Sequence, residues 1–336
     1  MGAYLIKLSK RRIDDIVNGF KGKRILVVGD LMLDEYLIGE VRRISPEAPV
    51  PVVEVKEQQI RFGGAANVAL NVATLGAEPV LVGAIGADRE GDLFTDLMRG
   101  KQMPLDGLHR FDDRPTTVKT RVIGHSQHIT RVDREKKEYL NETEEKQIIK
   151  IIEKLIDQVS AVIMEDYNKG VLTSQIIEAV IGLARKHSKL ITVDPKFINF
   201  LNYKNVSVFK PNIKETEEAL AVHISSETDL NNAGRNLLKT LNAKNILITR
   251  GSAGMSLFET SGEITHVGTM ARKVADVSGA GDTVISTLTV ALVGGAGVRE
   301  AATMANLAAG IVCQEVGIVP VELDQLYTAC LEDAAQ

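Results

Sequence analysis

Only two cysteines, Cys313 and Cys330, occur in the 336 residues, one in a helix of small residues and one near the tail. They have neither metal-ligand spacing nor the density of a disulfide framework, which points to a reducing, cytoplasmic setting. Positive charge is not in excess: Lys plus Arg number 40 against 44 for Asp plus Glu, a net charge of −4. Nucleic acid and anionic membrane are therefore disfavoured as partners. The stretch Met1 to Lys23 lacks the apolar core of a signal peptide. No apolar run is long enough to span a bilayer, since Thr283 to Val293 ends in Gly294-Gly295, and a soluble protein is expected. Two catalytic signatures are missing too. There is no Gly-x4-Gly-Lys-Ser/Thr, and Val28-Gly29-Asp30 lacks the spaced glycines of a dinucleotide site, which excludes a P-loop and a Rossmann fingerprint. His125 and His128 form an H-x-x-H without acidic or thiolate companions, a poor metal site.

What is present is a regular alternation of apolar strands and amphipathic helices. Leu5 to Phe20 has helical spacing, and Arg24 to Gly29 reads as a strand buried on both faces. Val80 to Ile85, Ser160 to Met164, Lys189 to Val193, Val206 to Phe209 and Asn245 to Thr249 read as further strands. Helical patterns separate them at Asp92 to Met98, Glu144 to Val159, Ser174 to His187, Ile213 to Ala221 and Leu230 to Leu241. This rhythm predicts a mainly parallel sheet between two helical layers, without a linker. Ligands of such sheets lie beyond the carboxyl ends of the strands. That rim is polar: Asp30 and Asp34, Glu165-Asp166-Tyr167 with Lys169, Asp194-Pro195-Lys196, Lys210-Pro211-Asn212, and Thr249-Arg250-Gly251.

The chain is organised around Asp276-Val277-Ser278-Gly279-Ala280-Gly281-Asp282-Thr283, which runs into the apolar helix Val284 to Val293. Gly279, Ala280 and Gly281 leave backbone N–H groups uncovered at a helix mouth, where the helix dipole adds partial positive charge, so the segment suits an anion. Beside a phosphate, a carboxylate at Asp282 reads as a general base for an attacking hydroxyl. The plainer reading of the same residues is an N-terminal cap after a glycine turn.

Three prolines, Pro46, Pro49 and Pro51, confine the stretch Arg42 to Val55 to an edge strand in a flap. Thr117 to Ile123 and Gln127 to Asp133 alternate around Gly124-His125-Ser126, which predicts a hairpin pairing with the Val50 to Val55 edge. Lys119 and Arg121 share one face of it and offer charge to an anion. Gly63-Gly64 precedes a helix ending at Leu75-Gly76, allows close backbone approach, and sets Asn67 where it can meet sugar hydroxyls. Asn212 and Glu215 lie one turn apart, suited to Mg²⁺-bound water or, more plainly, to a capping box. Asn306 is the polar interruption in the small-residue helix Val298 to Cys313.

Taken in order, Gly63-Gly64-Ala65-Ala66-Asn67, Asn212-Ile213-Lys214-Glu215 and Gly279-Ala280-Gly281-Asp282 resemble the motifs of the ribokinase-like (PfkB) sugar kinases over nearly the whole chain. The resemblance implies a three-layer α/β/α kinase domain over residues 1–336, with β-lid segments near 36–62 and 112–133. It implies ATP and Mg²⁺ as cofactors, Asp282 as base, and a nucleotide near Thr249, Gly251, Asn306 and the Asn212/Glu215 pair. The sugar would lie among Asp30, Asp34, Gly63, Gly64, Asn67, Lys119, Arg121, Asp166, Lys169 and Lys196. Within the family, Arg43 to Val53, Asp166-Tyr167 with Lys169-Gly170, Asp194-Pro195-Lys196 and Asp276-Val277 resemble the kinase half of the bacterial heptose enzymes of lipopolysaccharide-core synthesis. Those phosphorylate O1 of D-glycero-β-D-manno-heptose 7-phosphate on the way to ADP-heptose. Glu165, where such kinases often have a small polar residue, and Lys210 before Pro211-Asn212 depart from the pattern. No His-x-Gly-His of a nucleotidylyltransferase is found, so a stand-alone kinase is expected, paired as a homodimer through the lid edge. Another sugar or nucleoside as acceptor, and a non-catalytic sugar-nucleotide sensor, are the alternatives. An intact Asp282 argues against the sensor.

Overall fold

A computed structural model describes residues 6–125, 127–269 and 275–335. The first helix, α1 (Lys10–Asn18), begins where the Ser9 hydroxyl caps it by accepting from the Arg12 N–H. That cap makes it shorter than the expected Leu5 to Phe20, of which Leu5 lies outside the described residues. In chain order there follow β1 (Arg24–Gly29), β2 (Leu31–Ile44), β3 (Pro51–Gly64), α2 (Ala65–Thr74), β4 (Glu78–Gly86), α3 (Arg89–Gly100), β5 (Leu108–Phe111), β6 (Thr117–Gly124) and β7 (Gln127–Arg134). The second half contains α4 (Glu142–Leu155), β8 (Ala161–Glu165), α5 (Ser174–Lys186), β9 (Leu190–Asp194), β10 (Val208–Phe209), α6 (Ile213–Leu220), α7 (Glu227–Leu241) and β11 (Asn245–Thr249). It closes with β12 (Met255–Glu259), β13 (Ile264–Val267), α8 (Ala280–Val293), α9 (Val298–Val312) and α10 (Leu323–Ala335).

Strand β1 shows why the layers form. Its side chains alternate, so Ile25 and Val27 enter one apolar core with α2, α8 and α9, while Leu26 and Val28 enter a second with α4, α5 and α7. All four are fully buried, as the unbroken apolar run requires. The main sheet runs β13-β12-β11-β10-β9-β8-β1-β4-β5, parallel except at the β11–β12–β13 end. This is the ribokinase-like three-layer arrangement that the sequence led us to expect.

A second sheet, β3-β2-β6-β7, stands beside it as a lid. Here the expected pairing needs correction. The β6–β7 hairpin pairs through β6, in parallel, with residues 32–39 of β2, and not with Val50 to Val55. Residues 51–55 belong to β3, which occupies the lid's other edge, where a proline at its start is tolerated. The lid spans 31–64 and 117–134, because β2 grows straight out of β1 after Asp30 and adopts strand geometry despite its Asp, Glu and Arg content.

Candidate active site

Helix α8 starts on the carboxyl-end rim. Gly279 caps it with φ +79°, a left-handed conformation that a side chain would strain. A Cβ at Gly281 would stand 3.5 Å from both Asp194 Oδ2 and Lys210 Nζ, so the bare backbone of the cradle faces a buried ion pair. Alongside lies a pocket of about 240 Å³, lined by Thr249, Gly251, Ala280, Gly281, Asn306 and Cys313 among others. The structure thus gathers around one cavity the nucleotide-side residues named from sequence, except Asn212 and Glu215. The Asn306 amide lines this pocket while donating to the Gly268 carbonyl at 2.7 Å.

Asp282, in the first turn of α8, is buried. Asn67 Nδ2 donates to its Oδ2 at 2.7 Å, and the Tyr167 hydroxyl donates to its Oδ1 at 2.9 Å. Burial pushes its carboxyl up to about 6; the Asn67 hydrogen bond opposes this and the charge of Asp194 adds to it. A carboxylate so poised is ionised at neutral pH and still basic enough to accept a proton. Asn67, expected to meet the sugar, donates its amide to Asp282. In the sequence Tyr167 stands out only as part of a polar loop. Nothing in the local sequence says that its hydroxyl reaches across to α8, because the contact joins residues 115 apart.

Glu165, Asp194 and Asp282 each bring a carboxylate oxygen within 4.8 Å of the others. Asp194 pairs with the buried Lys210 at 2.8 Å. Glu165 is fully buried, and neither of its oxygens meets a hydrogen-bond partner among the described residues. Burial, and then the neighbouring charges of Asp194 and Asp282, push it well above the usual carboxylate range.

Asn212 and Glu215 form the plainer of their two readings, a reciprocal capping box at the start of α6. Asn212 Oδ1 accepts the Glu215 N–H at 2.8 Å, and Glu215 Oε2 accepts the Asn212 N–H at 2.9 Å. Glu215 Oε1 takes Lys196 Nζ at 2.5 Å. With these atoms engaged, the pair fits a metal through bound water rather than by direct ligation.

On the lid, Asp34 and Tyr36 share a face of β2, and Lys119 and Arg121 share the matching face of β6. Arg121 is ion-paired with the buried Asp34, and the Arg61 and Arg121 guanidiniums lie 5.2 and 5.4 Å from the Tyr36 ring centre. A Cβ at Gly63 would sit 2.2 Å from Asp34 Oδ2, so this glycine makes room for the carboxylate. Gly64, at φ +57°, turns β3 into α2. Lys169 Nζ and Lys119 Nζ converge on Glu135, at 2.8 and 3.4 Å. Glu135 was not anticipated; the alternation of β7, which continues to Arg134, was the available signal.

Two expected sugar ligands face elsewhere. Asp30 accepts the N–H groups of Tyr167, Lys169 and Val171 at 2.8, 3.0 and 3.1 Å, which fixes loop 166–171. Asp166 accepts from the Tyr203 hydroxyl at 2.6 Å and the Asn168 N–H at 2.8 Å. Both carboxylates thereby shape the loop that presents Tyr167 and Lys169. Among the described residues, no helix is long and apolar enough to cross a membrane.

Comparison with known proteins agrees with this geometry. The family model described as "pfkB family carbohydrate kinase" matches residues 23–323. A protein named bifunctional protein HldE from Desulfatibacillum aliphaticivorans is 44% identical over 310 residues, covering 92% of this chain and 63% of its own length. Its namesake from Helicobacter pylori strain J99 is 40% identical over 304 residues, covering 90% of this chain and 65% of its own length. The chain thus spans less than two thirds of these relatives. Among solved structures, Arabidopsis thaliana ribokinase complexed with ribose and ATP superposes with a TM-score of 0.72 at 20% identity, covering 94% of this chain and 99% of that one. Escherichia coli phosphofructokinase-2 in complex with substrates and products gives 0.75 at 17% identity, covering 92% and 99%. With the glycine cradle, the buried aspartate and the lid in their places, the chain belongs to the pfkB family of carbohydrate kinases.

Proposed function

We propose that this kinase transfers the γ-phosphoryl group of ATP to O1 of D-glycero-β-D-manno-heptose 7-phosphate, giving the 1,7-bisphosphate used for ADP-heptose. One observation carries the reading: a buried carboxylate, Asp282, sits in the first turn of α8 beside Gly281, which lines the pocket with Thr249, Gly251 and Asn306, and it is hydrogen-bonded to Asn67 of α2, the helix that continues lid strand β3. The migrating phosphoryl group would rest on the backbone from Gly279 to Gly281, with the positive end of α8 behind it. Asp282 would take the proton of the attacking hydroxyl while Asn67 and Tyr167 hold its two oxygens in place. Asn212 and Glu215 would hold magnesium through water, and the ion would supply neutralisation of the nucleotide phosphates. The lid would exclude water, which competes for the phosphoryl group.

The acceptor's own phosphate needs a cation, and Lys119, Lys169, Arg121 and Lys196 supply candidates on the lid and rim. The relatives named HldE support the heptose assignment. We further propose a homodimer through the lid, whose edge strands β3 and β7 expose Val55 and Val132 at 49 and 57%. The decisive experiment is incubation with ATP, Mg²⁺ and the heptose 7-phosphate, read by phosphorus NMR. A new anomeric phosphate resonance with ADP is expected. Turnover of ribose or a nucleoside, with the heptose phosphate inert, overturns the substrate assignment and leaves the kinase family intact. Sedimentation as a monomer at every concentration overturns the dimer.

A further inference from the structure

We propose that Arg61 and Tyr36 of the lid form a latch on the loop 316–318, through which an occupied phosphate cradle and an engaged lid stabilise one another. The inference rests on the kinase reading for what the two ligands are, whereas the latch itself follows from contacts. Arg61, on β3, reaches off the lid: its Nη1 donates to the Ile318 carbonyl at 2.9 Å and lies 3.5 Å from the Val316 carbonyl oxygen. Tyr36, on β2, accepts the Ile318 N–H at its hydroxyl. Gly317 stands between these groups at φ +77°, and a Cβ there would come within 2.8 Å of the guanidinium, so the glycine makes room for it. Two lid side chains thus hold three backbone groups of one short loop.

The same loop touches the cradle. The Gly317 N–H donates to Asp276 Oδ2 at 3.0 Å, and Asp276 Oδ1 accepts the Ser278 N–H at 2.9 Å, one residue before Gly279. A Cβ at Gly279 would meet the Ile318 side chain at 3.3 Å, so Ile318 packs against the turn that opens α8. On the lid side, the Arg61 and Arg121 guanidiniums lie over the Tyr36 ring at 5.2 and 5.4 Å, and Arg121 is the ion-pair partner of Asp34. Contacts therefore run unbroken from Arg121 through Tyr36 and Arg61 to loop 316–318 and Gly279. Because the lid is a sheet separate from the main one, its seating can change without breaking a main-sheet ladder. A ligand that orders loop 316–318 from the cradle side favours the seated lid, and by linkage a ligand that seats the lid favours the ordered cradle. Arg61 and Tyr36 are positioning residues in this scheme, acting on the phosphoryl group through the loop.

The test is amide hydrogen exchange of the full chain with and without a non-hydrolysable ATP analogue, joined to calorimetric titration of that analogue in the absence and presence of heptose 7-phosphate. In wild type the analogue alone is expected to slow exchange in the lid strands β2 and β3. The sugar phosphate is expected to tighten analogue binding by about 5- to 150-fold, the usual span of coupling between two sites. Arg61→Met keeps the apolar stem and loses the donors. It is expected to abolish the lid protection and to bring the coupling to within about twofold, with affinity for the analogue alone nearly unchanged. Tyr36→Phe keeps the ring and loses the acceptor of the Ile318 N–H; it should weaken the coupling in the same direction, and it is the second variant if Arg61→Met does not fold. Wild type whose lid does not respond to the analogue overturns the inference, as does wild-type protection and coupling in both variants. So does an Arg61→Met that binds the analogue more weakly by the same factor with and without sugar, since that marks a prop for the cradle and no coupling. If another sugar is phosphorylated and the heptose phosphate is inert, that sugar replaces it in the titration. Acceptor phosphorylation measured in parallel separates the two readings: turnover with an unresponsive lid removes only the latch, and Arg61-dependent lid protection without turnover on any sugar removes only the kinase reading.

Discussion

Asn67 and Asp282, 215 residues apart, are joined by a 2.7 Å hydrogen bond across the interface of α2 and α8. Both helices begin at glycines on the rim, so the Gly63-Gly64 and Gly279–Gly281 segments deliver donor and acceptor to one point. Removing the carboxylate's charge should separate chemistry from binding. Asp282→Asn is expected to lower kcat by about 10²–10⁴, the usual value of a positioned base, with nucleotide affinity nearly unchanged. Single-turnover rates and nucleotide titration check this, and retained turnover would sink the base assignment.

Asn67 holds the proposed base through its amide, which also lies beside the cradle, 3.2 Å from where a Cβ at Gly279 would stand. A hydrogen bond to a charged group contributes about 1.5–3 kcal/mol, so Asn67→Leu should cost about 10- to 100-fold in kcat, with both KM values little altered. Tyr167→Phe should show a smaller loss of the same kind. A rise in sugar KM with unchanged kcat would return Asn67 to the role of sugar ligand.

The two glycines of the cradle should fail differently. At Gly279 the φ of +79° penalises any Cβ, so Gly279→Ala is expected to lower stability by about 1 kcal/mol and to disturb the start of α8. At Gly281 a Cβ meets only ordinary contacts, at 3.5 Å. Gly281→Ala should therefore melt like wild type yet lose nucleotide-dependent turnover, because the methyl group occupies the surface offered to phosphate. Melting curves and nucleotide KM on the two variants check this contrast.

Asp88 ties the main domain to the lid. It caps α3 through the Gly91 N–H at 2.8 Å and accepts from the Thr116 N–H and hydroxyl at 2.9 and 2.6 Å, at the entry to β6. Burial pushes its carboxyl up, but the Thr116 and Gly91 hydrogen bonds outweigh it and hold the group below the ordinary range. With a depressed folded value, its stabilisation is present above the unfolded carboxylate range, near pH 4, and is lost as pH falls through the folded value. Asp88→Asn should thus cost about 1 kcal/mol at pH 7, and the difference from wild type should shrink below pH 4. Denaturant melts at both pH values measure it.

Local chemistry made the main sheet and the cradle legible. Leu26 and Val28 are apolar because two layers cover β1, and Gly279 stands where a positive φ is needed, so both signals sit at the residue itself. The lid was legible only in part. Strand β2 carries Asp34, Glu35, Glu40, Arg42 and Arg43, and its strand state comes from pairing with β3 and β6 rather than from periodicity. The short hairpin β12–β13, β5 and α10 were passed over, each weakly marked by itself. Within the site, residue types pointed to the rim, but which partner each would meet was not local information. Asp30 and Asp166 resemble sugar ligands in sequence and are held by loop N–H groups in the fold.

On the proposed function, the lysines at Glu135 would recognise the phosphate of a phosphorylated sugar. Lys119 and Lys169 both reach this carboxylate, and Lys169 lies on the same loop as Tyr167, the donor to the base. A phosphate on the far end of the sugar carries more charge and more acceptor oxygens than Glu135, so it competes well for the two ammonium groups. Lys169→Ala and Lys119→Ala are accordingly expected to raise KM for the heptose 7-phosphate by about 10- to 100-fold, the effect of one lost charged hydrogen bond, with ATP KM within about twofold. Neither should affect an unphosphorylated sugar to that degree. Steady-state kinetics on phosphorylated and unphosphorylated acceptors distinguish these cases. Equal losses for sugar phosphate and ATP would mean that the lysines hold the loop in shape, since a deformed loop would misplace Tyr167 and Asp282 for every acceptor alike.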